Sequence, residues 1–288
     1  MIKKLIYLLL LLTVFDVAYC QDLDEEIGEG TTFEYNKHYP RVNVVPYDND
    51  RAAKALKYKE SSVYKSLNGS WAFVLKKGEV LGRQDVNIDS MNIGAWSAIN
   101  VPGRWEANGI KVKALPLKNM LSVQSVENPV GLYFKEIEIG EEWKNQICYL
   151  YIGAARGAYT VWVNGKYVGY SEDSKTPSEF DITPYLIWDK KGLKKNNVLI
   201  QLQSVSNGSL LESKIPLSLT GIERDVALYA KPICNISDYS IECDYIQATG
   251  AGKIEMTVSL ENHKKKGEYY VEVMVLNDKG KEIGRAHV

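Results

Sequence analysis

Histidine is scarce in this chain. Three in 288 residues, His38, His263 and His287, argue against a histidine-rich metal or acid–base centre. Cysteine is nearly as scarce, and the four present form neither a disulfide framework nor metal-ligand spacing. Cys148 lies in the apolar run Ile147–Ile152 and reads as a small buried thiol, whereas Cys234 and Cys243 leave pairing in an oxidising compartment open. Charge of one sign is missing too: 35 basic against 36 acidic residues give a net charge of −1. That balance leaves no electrostatic footprint for nucleic acid or for an anionic membrane. Long helical periodicity is absent, and the only long apolar run stands at the very start.

That run reads as a targeting signal. Lys3 and Lys4 form a charged start, Leu5–Phe15 the apolar stretch, and Ala18-Tyr19-Cys20 a small-residue end. The stretch is too short to span a bilayer as a helix, so no transmembrane span is expected and residues 1–20 are read as a cleaved export signal. A lipid-bearing Cys20 at the mature N-terminus is the alternative, which would anchor an exported protein to the cell surface.

What is present is ordinary globular material, 45% hydrophobic and 25% charged. Gln21 to about Glu60 is polar and weakly periodic, and is expected to wrap the surface as an extended arm. Beyond it, short apolar runs such as Trp71–Leu75, Leu132–Ile139, Val198–Val205 and Val226–Ala230 alternate with turn residues. Many short strands between Gly, Asn and Pro argue for an all-β sandwich or barrel. Lys231-Pro232 marks a boundary, giving one unit over 21–231 and a second over 232–288. In the second, Ile254, Met256, Val258 and Leu260 alternate with polar residues, and so do Val271, Val273 and Val275. It has an immunoglobulin-like look. Such a sandwich takes about 100 residues, so a partial one is expected, with unpaired edges that make it the weak point of the chain.

Ala158–Leu186 is the most informative stretch. Tyr159, Val161 and Val163 alternate with Thr160 and Trp162, a half-buried strand, and Asn164-Gly165 then suits a type I′ hairpin turn. A two-residue turn sets Val163 opposite Lys166, Val161 opposite Val168 and Tyr159 opposite Tyr170.

The string WVNGKYVGYSEDSKTPSEFDITPYL (Trp162–Leu186) closely resembles the sugar-binding jelly-roll domain of family 2 glycoside hydrolases, the β-galactosidase branch in particular. Flanking blocks agree in order: PRVNVVPYDND (Pro40–Asp50), YKSLNGSWAF (Tyr64–Phe73), WSAINVPGRWEANG (Trp96–Gly109), NPVGLYF (Asn128–Phe134), and SNGSLLE with LTGIERDVAL (Ser206–Leu228). The resemblance runs from about Asn36 to about Pro232 and implies an all-β fold: a jelly-roll β-sandwich followed by a truncated immunoglobulin-like β-sandwich.

It also implies where sugar is met. In the family this domain lends residues to an active site in a separate (β/α)₈ barrel. Asn128 matches the asparagine of the NP-x-G block, and an amide both donates to and accepts from sugar hydroxyls. The alternative reading is that Asn128-Pro129 only initiates a turn. Asn207 stands where the family has an aspartate that ligates sodium and touches the sugar. It keeps an oxygen but loses the charge, so no strong sodium site is expected, although the family uses magnesium and sodium. Leu210, Ser213, Lys214, Ile215 and Leu217 replace the residues that follow in the family, and Gly109–Asn119 has drifted likewise.

Other charged groups read as structural. Glu212, Arg224 and Asp225 suggest an ion pair fixing a loop, and Asp181 is expected to hold local backbone amides. Glu172, Asp173 and Glu179 complete the acidic set around the EFDIT turn. None makes a catalytic pair. Two functions follow as expectations: a non-catalytic N-terminal part of a β-galactosidase-like hydrolase, or a stand-alone exported carbohydrate-binding module. Either way the partner is a carbohydrate, a galactoside by resemblance, and these residues alone are expected to lack glycosidase activity.

Overall fold

The computed structural model describes residues 32–55, 57–78, 80–112, 128–188, 194–206, 208, 219–263 and 267–287. In chain order the strands begin with β1 (Glu34–Tyr35), β2 (Tyr64–Ser66), β3 (Gly69–Lys77), β4 (Ser97–Val101), β5 (Gly103–Arg104) and β6 (Pro129–Ile139). Then come β7 (Ile147–Ile152), β8 (Ala155–Arg156), β9 (Ala158–Val163), β10 (Lys166–Ser171), β11 (Ser178–Asp181) and β12 (Lys194–Gln203). The last are β13 (Gly221–Ile222), β14 (Val226–Lys231), β15 (Cys234–Ile246), β16 (Ala251–Asn262), β17 (Glu272–Leu276) and β18 (Glu282–His287). Every pairing among them is antiparallel.

The chain divides into two compact units, one ending at Pro232 and one beginning at Ile233. In the first, a seven-stranded sheet, β1-β10-β9-β12-β6-β3-β4, faces a four-stranded sheet, β11-β7-β14-β2. One core fills the space between them. Trp71, Tyr159 and Ile200 come from the larger sheet and Leu150, Phe180 and Leu228 from the smaller, all essentially inaccessible. This is the jelly-roll sandwich.

The hairpin turn forms as its residues dictate, with Asn164 at φ 52° and Gly165 at φ 76°. Lys166 pairs with Val163, but the register then departs from expectation: Val161 pairs with Gly169 and Tyr159 with Ser171. The cause is a β-bulge at Val168, whose extra residue turns its side chain into the core. The next position tolerates only glycine, because a Cβ on Gly169 would lie 2.6 Å from the Phe180 ring.

β9 is not half-buried either; all six of its residues are covered. Residues 80–96 lie across the outer face of the large sheet, where Leu81, Val86 and Trp96 pack against Trp162 and Leu199. Polar bonds fix this cover: Trp162 Nε1 donates to the Gln84 carbonyl at 2.8 Å, and the Gln201 side chain accepts from the Leu81 amide at 2.6 Å. The strand is thus buried by a segment with no periodicity of its own.

On the small sheet the outer face is rich in tyrosine, and an extended arm crosses it. Asn36 Nδ2 donates to the Val168 carbonyl at 2.6 Å, and the His38 amide to the Glu179 carbonyl at 2.9 Å. Arg41 Nε then donates to Glu179 Oε2 at 2.7 Å, with both side chains at least nine-tenths buried. The Arg41 guanidinium also lies 5.0 Å from the Tyr149 ring centroid.

In the second unit β15 pairs with β16 and β17 with β18. Ile254, Met256, Val258, Leu260, Val273 and Val275 line a groove of about 380 Å³. Leu260 and Ile254 remain 45% and 53% exposed, so this face packs less completely than the sandwich core.

The cysteines sort by position. Cys148 is fully buried, and burial pushes its thiol up to about 12. Cys234 and Cys243 lie on the single strand β15, opposite Asn262 and Ile254 respectively. At about 3.3 Å per residue their Cα atoms stand roughly 30 Å apart, far beyond the ~7 Å a disulfide tolerates. The pairing left open by sequence is excluded within one folded chain. Alkylation of the native protein followed by mass spectrometry should label Cys243 readily and Cys148 only after unfolding; an internal Cys234–Cys243 bridge would contradict the strand.

Candidate functional site

Asn128 directly precedes β6, and Val205 follows the end of β12, its neighbour in the sheet. The Asn128 side chain extends that pairing by one rung. Its Nδ2 donates to the Val205 carbonyl at 2.6 Å, and its Oδ1 accepts from the Val205 amide at 3.0 Å. Its own carbonyl accepts from the Gly78 amide at 3.1 Å, which ties in the end of β3. Among the described residues the Asn128 amide donates one bond and accepts one, both with the Val205 backbone, on a residue 7% exposed. Asn128 thus shapes the turn that leads into β6.

Val205 opens the SNG motif. Ser206 is buried, and the Gly208 amide donates to Glu172 Oε2 at 2.7 Å. The other oxygen of Glu172 accepts from the Tyr170 hydroxyl at 2.6 Å. Arg83 sits with its guanidinium carbon 3.6 Å from the Tyr170 ring centroid. Burial, reinforced by Glu172, pushes the Tyr170 phenol up and keeps it a donor. The motif is gripped at Val205 by Asn128 and at Gly208 by Glu172. Asn207 and Glu212 lie outside the described residues.

Behind the motif, Ser204 Oγ and Thr220 Oγ1 lie 2.7 Å apart. Gly157, at φ 112°, lets the start of β9 pass the end of β12; a Cβ there would come 2.0 Å from the Gln203 carbonyl oxygen. None of these supports is a sequence motif. Glu172 carries a signal only in hindsight, as an acid inside the long matching string.

The remaining acids are structural. The Asp181 carboxylate accepts from the Thr183 amide at 2.8 Å. Asp173 accepts from the Lys175 and Thr176 amides, each at 3.0 Å. The Arg224–Asp225 pair is not what fixes its loop: Asp225 is taken by Lys59 at 2.7 Å and by Asn68 Nδ2 at 2.9 Å. Arg224 is exposed and donates to the Lys175 carbonyl at 3.3 Å. Glu223 is held instead, by Arg104 at 2.9 Å and Lys175 at 3.1 Å.

Three of these carboxylates, Asp173, Glu223 and Asp225, move in one direction. Hydrogen bonds from Lys59 and Asn68 hold Asp225 below the usual carboxylate range. For Asp173 burial pulls upward, but the Thr176 hydroxyl and local amides outweigh it and the net shift is down. Glu223 behaves alike, with Lys175 and Arg104 outweighing burial. A glycosidase general acid needs the opposite shift. A depressed folded pKa stabilises above the ordinary value and is lost as pH falls through the folded one. The urea midpoint of the sandwich should therefore hold from neutrality to about pH 5 and drop below about pH 4. Asp225→Asn should make the drop shallower, and a midpoint unchanged at pH 3 would contradict these assignments.

Among the described residues no three His, Cys, Asp or Glu side chains gather as a metal site. For the sodium implied by resemblance, position 207 offers a neutral amide oxygen in place of the family's carboxylate. That residue does not match a cation seeking anionic oxygens. No helix is long and apolar enough to cross a membrane among the described residues.

Residues 64–232 match the family model described as "Glycosyl hydrolases family 2, sugar binding domain". The chain belongs to family 2 of the glycosyl hydrolases and carries that family's sugar-binding domain. The β-galactosidase of Priestia megaterium is 31% identical over 255 residues, 85% of this chain and 23% of the relative. That of Psychromonas ingrahamii is 30% identical over 230 residues, 77% and 21% respectively. The chain thus spans about a quarter of the length of the curated relatives it matches. Among solved structures, the apo β-glucuronidase of Ruminococcus gnavus superposes with a TM-score of 0.54 at 18% identity, covering 78% of this chain and 38% of that one. At that identity the likeness is one of fold.

Proposed function

We propose that the chain is the non-catalytic sugar-binding part of an exported β-galactosidase-type hydrolase, contributing Asn128 and, more weakly, Asn207 to galactoside binding at the edge of a catalytic barrel. The observation that carries this is the double grip on the SNG motif, Asn128 on Val205 and Glu172 on Gly208. Such grips prepay the ordering of a loop that must meet a polyol. The choice of galactoside rests on relatives about 30% identical that are named β-galactosidases. Catalysis is assigned elsewhere because a (β/α)₈ barrel needs eight parallel strands, and every described pairing here is antiparallel. Export rests on Lys3, Lys4 and the apolar run after them.

Calorimetric titration of the full chain with lactose tests the reading. Binding is expected to be weak, to be weakened by Asn128→Ala, and to be less affected by Asn207→Ala. No aryl β-galactoside should be turned over by these residues alone. Turnover abolished by replacing one carboxylate of the chain would overturn the proposal, as would lactose binding indifferent to Asn128. Mass spectrometry of exported material should place the mature start at or just after Cys20, and a diacylglyceryl mass on Cys20 would select the lipid-anchored form; an intact Met1 would refute export by this signal.

A further inference from the structure

A second cavity, of about 370 Å³, lies among a different set of residues: Tyr58, Tyr64 and Tyr151 with Asn43, Arg224 and Asp225. Its size falls within the ~300–1,000 Å³ of small-ligand sites. Tyr64 and Tyr151 come from β2 and β7 of the small sheet, and Tyr58 precedes β2. The rings of Tyr58 and Tyr64 meet edge to face, centroids 5.4 Å apart. None of the three phenol hydroxyls makes a hydrogen bond to the described residues. Burial pushes the Tyr64 phenol up to about 12, with Tyr58 and Asp225 adding to the effect, so it is a neutral donor at physiological pH.

The walls are built rather than incidental. Asp225 is held by Lys59 and Asn68, and Glu223, which also lines the cavity, by Arg104 and Lys175. Gly153 brings the floor together: a Cβ there would lie 2.9 Å from the Arg224 Cβ, 3.1 Å from the Asp225 carbonyl oxygen and 3.3 Å from the Tyr151 ring. Each acid already has a cationic partner, so neither is free to recruit a cation, and Arg224 donates to the Lys175 carbonyl. The cavity offers phenol hydroxyls, an amide, a guanidinium and a carboxylate beside ring faces. A neutral saccharide matches this set, since each sugar hydroxyl both donates and accepts and its C–H faces pack on aromatic rings.

We propose that this tyrosine cleft is an additional carbohydrate-binding site, taking a neutral mono- or disaccharide unit of a glycan through the hydroxyls of Tyr58, Tyr64 and Tyr151. It does not depend on the region around Asn128. The test is NMR of the full chain carrying ring-labelled tyrosine, titrated with lactose, with the three resonances assigned through single Tyr→Phe variants. All three should move with one saturation curve. The Tyr58→Phe/Tyr64→Phe/Tyr151→Phe protein loses only hydroxyl groups, and should bind at that curve roughly tenfold more weakly while keeping its circular dichroism. Should the triple variant misfold, Tyr58→Phe alone, at a residue 38% exposed, should still weaken binding. Resonances that stay still, or an affinity unchanged in the folded variants, would overturn the cleft. If Asn128→Ala abolishes all lactose binding while the tyrosine resonances never respond, the cleft falls and the reading of the SNG motif stands.

Discussion

Arg41→Ala is expected to cost the sandwich about 3–5 kcal/mol of stability, the range for breaking one side of a buried ion pair. The size follows from burial: the Arg41 and Glu179 side chains are only 9% and 8% exposed, so the variant leaves a largely buried carboxylate without its ion-pair partner. Burial by itself would lower the Arg41 pKa, but Glu179 outweighs it and the guanidinium is held further into its charged form. The Tyr149 ring loses one of its two cations at the same time, Lys231 staying 5.8 Å from its centroid. Urea denaturation followed by tryptophan fluorescence reads the loss. A change under about 1 kcal/mol would place the pair with exposed surface bridges instead. The Arg41→Met/Glu179→Leu protein should recover most of the stability, because matched apolar groups often replace a buried pair without penalty.

Gly157→Ala should disturb both stability and binding. The residue holds φ at 112°, a region a side chain adopts at a cost of about 1–3 kcal/mol. The new Cβ would also meet the Gln203 carbonyl oxygen at 2.0 Å, and moving packed backbone aside adds about 1–3 kcal/mol. What gives way is the end of β12, two residues before the amide and carbonyl that Asn128 grips. A lower thermal midpoint together with weakened lactose binding is the expected result. Retained binding at reduced stability would mean that the grip tolerates the shift.

Local order was easy to read from residues; distant partners were not. Asn164-Gly165 announced its turn because positive φ at two successive positions has few residue solutions. The bulge at Val168 left no mark, since inserting one apolar residue between Tyr167 and Gly169 preserves an acceptable alternation. Burial of Trp162 from outside could not be foreseen from β9, because the covering residues 80–96 lack any period. Arg41 and Glu179 stand 138 positions apart, and nothing in either neighbourhood names the other. Asn128 shows a different limit. Its motif marked it as a candidate contact, but its side chain also bonds the Val205 backbone, a duty that only geometry reveals. For Asp225 the adjacent Arg224 was the obvious partner in sequence, yet both lie in the connection between β13 and β14, and Lys59 reaches the carboxylate instead.

The pairing of β2 with β14 has a consequence for how the chain comes into being. Tyr64 lies opposite Tyr229, so the small sheet acquires its edge strand only after both have been synthesised. The arm is in the same position, since Arg41 must wait for Glu179. At ribosomal speeds that delay is on the order of tens of seconds. Throughout it β2 has no permanent neighbour in its sheet. A nascent chain of this design stays threadable, and open to holding factors, until nearly the whole unit has emerged.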